Sequence, residues 1–461
     1  MSETGGLAGL AAQVRGGRSA QGLIEMALSR IDEHRGLNAV VATRQEEALA
    51  EAAAIDQRRE CGEDLPPLAG VPMLIKDNQD VAGMRTTRGS RVFANAQPER
   101  RDSVEVARLR AAGAVVVGKT NVPEFCIEGY TDNPLFGPTL NPWNETLSPG
   151  GSSGGSAAAL AAGLAPLATG TDGAGSVRIP AAFCGLIGFK PSNGTIGRSS
   201  APEWIDFSTP GFLTPHATDL SLLFDIVAGA VPGDPTALPG PLPPALQPQR
   251  AVAAPRTEGD RRIHPDVEVA FQRAVQMFSA AFDVPVEWRE PSDFFPDSSP
   301  DDDWYVIAAA EHASAVGPAL LTGELQSSTR AFLEFGLEVS LQDYIAARRR
   351  VFAHSRVIDE VLSNGTVLLT PVAPLPGWGP DGDAASYPHQ LLPADHYTSS
   401  IQNLTAVPAL SLPAGILPNG LPFGLQVTGA RWSDRALMFV AERWQQRWSS
   451  PAAAPGYSPF L

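Results

Sequence analysis

Two segments rich in glycine and serine carry the residues best suited to covalent chemistry. They read SPGGSSGGS over residues 148–156 and GTDGAGSVRIP over residues 170–180. Glycine-rich turns can point several backbone N–H groups at one place, which is what a developing oxyanion requires. Ser176 follows the second of these turns. Its hydroxyl is therefore a candidate nucleophile next to a candidate oxyanion site.

A serine hydroxyl is a weak nucleophile and needs a base. The seven histidines are scattered among predicted loops and helices, and neither serine segment fits the Gly-x-Ser-x-Gly motif of Ser-His-Asp hydrolases cleanly. A lysine base is the remaining option. The chain has only Lys76, Lys119 and Lys190, and Lys76 ends a short apolar run. Burial would have to lower the pKa of Lys76 from about 10.4 before it could accept a proton.

These candidates need a scaffold, and the pattern of the chain indicates an α/β sheet. A strand at residues 68–76, a helix at 103–112 and a strand at 114–118 follow one another, which is typical of that class. Apolar runs predict further strands at residues 186–189, 250–255, 367–371, 407–412 and 423–427. Helical spacing or composition predicts helices at residues 19–35, 45–60, 157–164 and 265–282. The acidic residues 293–303 are predicted to form a solvated loop.

Composition narrows the class of protein. The 461 residues carry a formal charge of −16 without a basic tract, which argues against binding nucleic acid or an anionic membrane. With 43% hydrophobic and 18% charged residues, the chain is predicted to be globular. Its three cysteines form no metal-ligand pattern, so no metal site is predicted. No signal peptide or 18-residue apolar run is recognised, so the expectation is a soluble cytoplasmic protein.

The two serine segments and several flanking motifs resemble the amidase signature family. Residues 68–77 (LAGVPMLIKD) are similar to the segment that holds the family's catalytic lysine, and residues 118–125 (GKTNVPEF) to the one that follows it. Residues 133–143 are similar to the fatty acid amide hydrolase branch and some bacterial relatives. Residues 369–371, 405–408 and 420–426 resemble the family's closing segments. The resemblance covers nearly the whole chain.

The resemblance implies one large α/β domain over residues 1–461. Its centre would be a mixed, mostly parallel twisted sheet covered by helices on both faces. The implied parts are a helical N-terminal part (residues 1–65), a catalytic core (66–230), a proline-rich surface linker (231–249) and a C-terminal part (250–461) that completes the sheet and the substrate pocket.

The resemblance also implies roles for individual residues, by their position in the motifs. The expected catalytic residues are the nucleophile Ser176, the bridging Ser152 and the base Lys76. The expected oxyanion hole consists of the backbone N–H groups of Gly173, Ala174, Gly175 and Ser176. The residues expected to hold the loop are Ser153, Thr171, Asp172 and Arg178. The residues expected to contact the substrate are Cys126, Gly151, Trp204 and Phe207, with a cis peptide bond between Gly151 and Ser152. At position 174 an alanine stands where the family commonly has a glycine.

The implied activity is hydrolysis of a C–N bond through an acyl-enzyme, without a cofactor. Residues 199–212, 294–310 and 378–397 are the candidate pocket walls, and their aromatic and apolar content suggests an aryl or hydrophobic group in an amide, anilide or carbamate. The resemblance also extends the expected activity to ester cleavage as a side reaction. The alternatives are an amidotransferase A-type subunit that releases ammonia from glutamine within a complex, and an inactive binding module. The expected partner is a small molecule, and the expected state is a monomer or homodimer.

Overall fold

The structure is a computed structural model that describes residues 5–238, 240–258, 263–296, 298–317, 323–383, 399–448 and 450–460. Within these residues the helices are α1 (Gly6–Arg15), α2 (Ala20–Glu33), α3 (Gln45–Glu60), α4 (Val104–Ala111), α5 (Gly154–Ala161), α6 (Arg178–Cys184), α7 (Ala217–Val227), α8 (Pro265–Phe282), α9 (Pro300–Val316), α10 (Ser327–Glu338), α11 (Leu341–Val361), α12 (Ile401–Leu404) and α13 (Asp434–Arg447). The strands are β1 (Val40–Thr43), β2 (Pro72–Lys76), β3 (Val115–Thr120), β4 (Leu167–Asp172), β5 (Ile187–Lys190), β6 (Thr209–Thr214), β7 (Arg250–Ala253), β8 (Val286–Trp288), β9 (Thr366–Pro371), β10 (Ala409–Ile416) and β11 (Pro422–Thr428).

The strands of the described chain form one mixed sheet in the order β1-β3-β2-β4-β6-β5-β10-β11-β9-β7-β8. The predicted mixed α/β class is confirmed, but the expectation of a mostly parallel sheet is wrong. Parallel pairing joins β3, β2 and β4 on one side and β9, β7 and β8 on the other. Every neighbouring pair from β4 through β6, β5, β10 and β11 to β9 is antiparallel. The β10–β11 connection is short, and short hairpins are available only to antiparallel strands.

Helices cover both faces of the sheet, as neighbouring residues of β5 demonstrate. A side chain at Gly188 would lie 2.6 Å from the Ala181 methyl group, so α6 packs on that face at close range. The next residue, Phe189, packs its ring 6.2 Å from Phe224 of α7. Because successive side chains of a strand point to opposite faces, α6 and α7 lie on opposite sides of the sheet.

Most predicted elements are present with small changes of boundary. Helices α3 and α8 have the predicted bounds, and α8 is well specified because Pro265 occupies its first turn and its apolar face is buried. Strand β2 is buried along its whole length, which explains its continuous apolar run. The proline-rich residues 231–249 contain neither helix nor strand in their described part.

The acidic segment is the clearest correction among the elements. Residues 293–303 were expected to form a solvated loop, yet α9 begins at Pro300. The Ser299 hydroxyl accepts from the Asp302 N–H and caps the helix, and three aspartates occupy its first turn, where negative charge is favoured. Asp303 is buried and paired with Arg350 and His354 of α11.

Helices α9, α10 and α11 form a separate apolar cluster with the loop that contains Trp204 and Phe207. This loop is tied to α9 by a hydrogen bond of 2.8 Å from the Ile205 N–H to Glu311 Oε2. The cluster therefore fixes one wall of the cleft described below. None of the described helices combines the length and hydropathy needed to cross a membrane.

Candidate active site

Lys76 is the last residue of β2 and is fully buried. Its Nζ lies 2.7 Å from Ser152 Oγ, 2.9 Å from Thr171 Oγ1 and 3.3 Å from Thr171 O. Burial lowers the pKa of Lys76, although the nearby charge of Asp172 opposes this effect. The amine is thus held in one position by three oxygen atoms in an environment that favours its neutral form.

Ser152 and Ser153 lie at the start of α5, and the Gly151–Ser152 peptide bond is cis, as expected from the resemblance. The helix can approach its neighbours closely because its first residues lack side chains. A Cβ at Gly154 would lie 2.1 Å from Thr131 Oγ1, and one at Gly155 would lie 2.4 Å from the Asn121 nitrogen. The Ser153 N–H donates to the Ser176 carbonyl at 3.0 Å, so the two serine segments are joined directly.

The predicted oxyanion turn connects β4 to α6. Gly175 has a positive φ of 113°, whereas Ala174 is not among the non-glycine residues with positive φ, so its methyl group imposes no strain. The Gly175 N–H donates to Asp172 Oδ1 at 2.8 Å, which removes it from the set available to a substrate. In the described chain the N–H groups of Gly173, Ala174 and Ser176 have no protein acceptor. The Ser399 hydroxyl steadies the turn by donating to the Ala174 carbonyl at 2.7 Å.

Asp172 and Arg178 hold this turn from behind. Arg178 donates to both carboxylate oxygens of Asp172, at 2.8 Å and 3.0 Å, and both side chains are fully buried. Burial alone would raise the pKa of Asp172, but the charge and hydrogen bonds of Arg178 hold it well below its usual range. The guanidinium also donates to the side chains of Gln402, Gln426 and Asn403. The pair therefore ties α6 to α12 and β11.

A narrow cleft opens in front of Ser152 and Ser176. Of the predicted site residues, Thr171, Gly173, Trp204 and Cys126 also line it. Lys76 lies behind Ser152, and Gly151, Ser153, Asp172, Ala174, Gly175 and Arg178 support the wall without lining it. Burial raises the pKa of the Cys126 thiol, which is consistent with a wall residue.

The expectation that Phe207 contacts the substrate is not supported by its position. Phe207 is buried in the apolar cluster of α9–α11, stacks on Trp304 and does not line the cleft. Trp304 instead reaches the site through its Nε1, which donates to the Gly173 carbonyl at 3.0 Å. Of the third candidate wall, Trp378 is buried against Phe183, and residues 384–397 lie outside the described residues.

Several cleft residues were missed by the sequence reasoning. They are Asn78, Arg88, Phe125, Glu203, Ser208 and His312. The position of Asn78, two residues after Lys76, was an available signal. Glu203 falls in the predicted wall 199–212 but was not singled out. Arg88 and His312 had no such signal, because only the folded chain brings them to the cleft.

The hydroxyl of Ser176 has no hydrogen-bonding partner within the part of the chain that the structure describes. Ser152 Oγ is bound by Lys76, and the two hydroxyls are not hydrogen-bonded to each other. Active-site hydrogen bonds are often loose without a substrate and tighten in the reactive complex. The described residues contain no group of three or more histidine, cysteine or acidic side chains that could hold a metal ion.

Known proteins share both the sequence and the architecture. The Amidase family model matches residues 22–438. The A subunit of glutamyl-tRNA(Gln) amidotransferase from Deinococcus radiodurans is 35% identical, over 94% of this chain and 95% of that protein. A bacterial aryl acylamidase of the amidase signature family superimposes with a TM-score of 0.87 at 26% identity, covering 97% and 96% of the two chains. The corresponding A subunit from Thermotoga maritima gives a TM-score of 0.74 at 28% identity, covering 95% and 94%.

The family match spans most of the chain, and the relatives align over nearly their full length. The chain therefore belongs to the amidase signature family.

Proposed function

We propose that the protein hydrolyses a C–N bond in an uncharged amide, anilide or carbamate through an acyl-enzyme on Ser176. The observation that carries the proposal is the 2.7 Å contact between Lys76 Nζ and Ser152 Oγ, buried directly behind a cleft that Ser152 and Ser176 both line. A neutral amine has two N–H donors and one lone pair. Thr171 O and Thr171 Oγ1 provide two acceptors, which leaves the lone pair for the Ser152 proton.

The proposed reaction begins when Lys76 takes the proton of Ser152, which takes the proton of Ser176. The Ser176 oxygen then bonds to the substrate carbonyl carbon, and the carbonyl oxygen becomes an oxyanion. The N–H groups of Gly173, Ala174 and Ser176 are the available donors to that oxyanion. When this tetrahedral intermediate collapses, the C–N bond breaks and the leaving nitrogen receives the proton back through Ser152. Water then attacks the ester carbonyl and gives up a proton to the same relay, which releases the acid and restores Ser176.

The walls of the cleft support an uncharged substrate with an apolar or aryl part. Phe125, Trp204 and His312 present rings to it. The two charged side chains in the lining, Arg88 and Glu203, are already bonded to each other. An uncharged substrate leaves that ion pair intact.

A second candidate function is ammonia release from glutamine as the A subunit of an amidotransferase. The 35% identity to the Deinococcus radiodurans protein favours it. Glutamine carries an ammonium and a carboxylate, so in this cleft it would have to separate Arg88 from Glu203 or remain without charged partners. Among the described residues that line the cleft, no other charged side chain could receive these two groups, which favours the first function.

A substrate panel tests these functions against each other. The purified chain is incubated with an acyl 4-nitroanilide, an N-aryl carbamate and glutamine, and the respective products 4-nitroaniline, arylamine and ammonia are measured. We expect turnover of the anilide or the carbamate, a covalent adduct at Ser176 detected by mass spectrometry, and neither in Ser176→Ala. Ammonia release from glutamine alone, particularly if it depends on a co-purifying partner, would overturn the proposal in favour of the second function.

A further inference from the structure

The wall of the cleft contains buried polar atoms that lack a hydrogen-bonding partner in the described chain. They are Asn78 Oδ1, Trp204 Nε1 and both ring nitrogens of His312. Buried polar groups in folded proteins are nearly always paired, and an unpaired one costs about 1–3 kcal/mol. Asn78 donates through its amide nitrogen to Thr171 beside Lys76 and so belongs to the catalytic end. Trp204 and His312 form a second polar position.

His312 lies on α9, is 3% exposed, and is held among aromatic rings. Its ring centroid is 5.7 Å from that of Phe125, 5.8 Å from that of Trp204 and 6.1 Å from that of Phe332. Burial lowers the pKa of His312 to about 4, so the imidazole is neutral near pH 7. A neutral imidazole offers one N–H donor and one lone pair. Neither is used within the described chain.

Trp204 brings this polar position close to the reacting bond. Its ring packs on Gly173, where an added Cβ would lie 2.4 Å from the indole. Trp204 Nε1 adds a second N–H donor beside His312. Together the two side chains present two donors and one acceptor. The neighbouring side chains of Arg88 and Glu203 form an ion pair with each other, so this end of the cleft offers a substrate no unpaired charge.

We propose that His312 and Trp204 form a specificity subsite for a second uncharged –NH–C(=O)– group of the substrate, separate from the bond that is cleaved. The carbonyl oxygen of such a group accepts two hydrogen bonds, and its N–H donates one. In one arrangement the carbonyl oxygen accepts from Trp204 Nε1 while the N–H donates to the unprotonated ring nitrogen of His312. The inference rests on the proposed hydrolase function and narrows its substrate class to diamides, amide-carbamates and related compounds.

Matched substrates test the subsite. N-acetylglycine 4-nitroanilide and pentanoic acid 4-nitroanilide have the same chain length and differ by the second amide on the acyl side. A second pair, 4-acetamidoanilide and 4-propylanilide of butanoic acid, carries the difference on the amine side. We expect about a tenfold preference in kcat/KM for the member with the second amide in one of the pairs. His312→Phe should reduce the ratio to about one.

Three further variants test whether the preference depends on the polar atoms of His312 and Trp204. His312→Gln keeps a donor and an acceptor and should restore part of the preference, whereas Trp204→Phe should weaken it. His34→Phe is the matched control, because the His34 ring also packs against an aromatic ring, 5.0 Å from that of Tyr457, but does not line the cleft. It should retain the preference. Thermal melting verifies that each variant is folded.

Binding to Ser176→Ala separates this inference from the proposed function. Thermal shifts with each substrate pair are measured in this background, with and without His312→Phe. A larger shift for the second-amide member that His312→Phe removes supports the subsite even if wild type shows no turnover, in which case the hydrolase proposal fails. If hydrolysis and binding show no preference, or if the preference survives in His312→Phe, the subsite proposal is overturned. The hydrolase proposal is not affected by either result.

Discussion

At the scale of single residues, the three lysines of the chain are all fully buried, and each has its own set of partners. Lys119 lies 3.2 Å from Asp77 in a buried ion pair. Lys190 donates to the Pro191 carbonyl and to Asn193 Oδ1. Lys76 alone has a serine hydroxyl as partner and stands directly behind the cleft. This difference in partners is the structural basis for giving Lys76 the role of base.

Removing the amine of Lys76 is expected to abolish catalysis. Lys76→Met keeps most of the buried volume, and Lys76→Arg keeps a charge that cannot serve as a base because a guanidinium stays protonated. We expect kcat/KM to fall by about 10²- to 10⁴-fold in both variants. Circular dichroism verifies the fold. Near-wild-type activity in Lys76→Arg would show that the position supplies only positive charge.

The pH dependence of kcat/KM should report the neutral form of Lys76. Burial lowers its pKa below the ordinary 10.5, and only the deprotonated amine accepts a proton. The rate should therefore rise with pH and reach a plateau below pH 10.5. The measurement is kcat/KM for a neutral anilide, whose own ionisation is constant over the range. A rate that instead declines as the amine loses its proton would contradict the assignment.

At the scale of elements, the turn between β4 and α6 can pack closely against its neighbours only because Gly173 and Gly175 lack side chains. Gly175 accommodates Ser399, since an added Cβ would lie 2.1 Å from its hydroxyl, and Gly173 accommodates the ring of Trp204. The N–H groups proposed as oxyanion donors and the aromatic wall of the cleft are thus fixed by the same turn. A change at either glycine is expected to shift the proposed catalytic groups as well as the cleft wall.

Gly173→Ala should impair catalysis while leaving the fold intact. Its Cβ would contact the Trp204 ring at 2.4 Å, so either the turn or the indole must move. A displacement of this kind costs about 10²-fold in rate when reacting groups lose alignment. The measurement is kcat/KM together with the melting temperature.

Gly36→Ala is the control for this substitution, because no atom lies within 4 Å of the added Cβ and Gly36 has no positive φ. Equal activity in the two alanine variants would contradict the close fit at Gly173.

The sequence was sufficient for elements with strong local signals and for roles tied to motifs. It predicted α3 from its alanine-rich composition, and α8, where a capping residue, a proline in the first turn and a buried apolar face agree. It missed β6, whose run is broken by proline and glycine, and it placed a loop where α9 begins, because local acidity did not reveal that Asp303 pairs with Arg350. Arg88 and His312 reach the cleft only through long-range packing, which no local pattern records.

At the scale of the whole molecule, one sheet passes continuously from β1 to β8 through the described chain. The strands that precede residue 231 and those that follow residue 249 meet within it, where β5 pairs with β10. The same architecture is found in a bacterial aryl acylamidase and in an amidotransferase A-type protein. A shared fold does not determine the substrate, so specificity has to be sought in the cleft walls.

The continuous sheet predicts one cooperative unfolding transition for the chain. Separating β5 from β10 would expose the core on both sides of that boundary. Neither half of the sheet should therefore stay folded without the other. Far-ultraviolet circular dichroism and tryptophan fluorescence should therefore give coincident melting curves. Two separated transitions, with α9–α11 lost first, would instead divide the chain into independent units.

The burial of every lysine also has a practical consequence for handling the protein. Reagents that acylate or cross-link amines find no lysine on the folded surface, so gentle labelling should leave all three lysines unmodified. Surface attachment would have to use carboxylates or Cys61, which is exposed. Conversely, an electrophile small enough to pass Ser152 would find in Lys76 the one lysine amine behind the cleft. Its modification would mark access to the interior of the site.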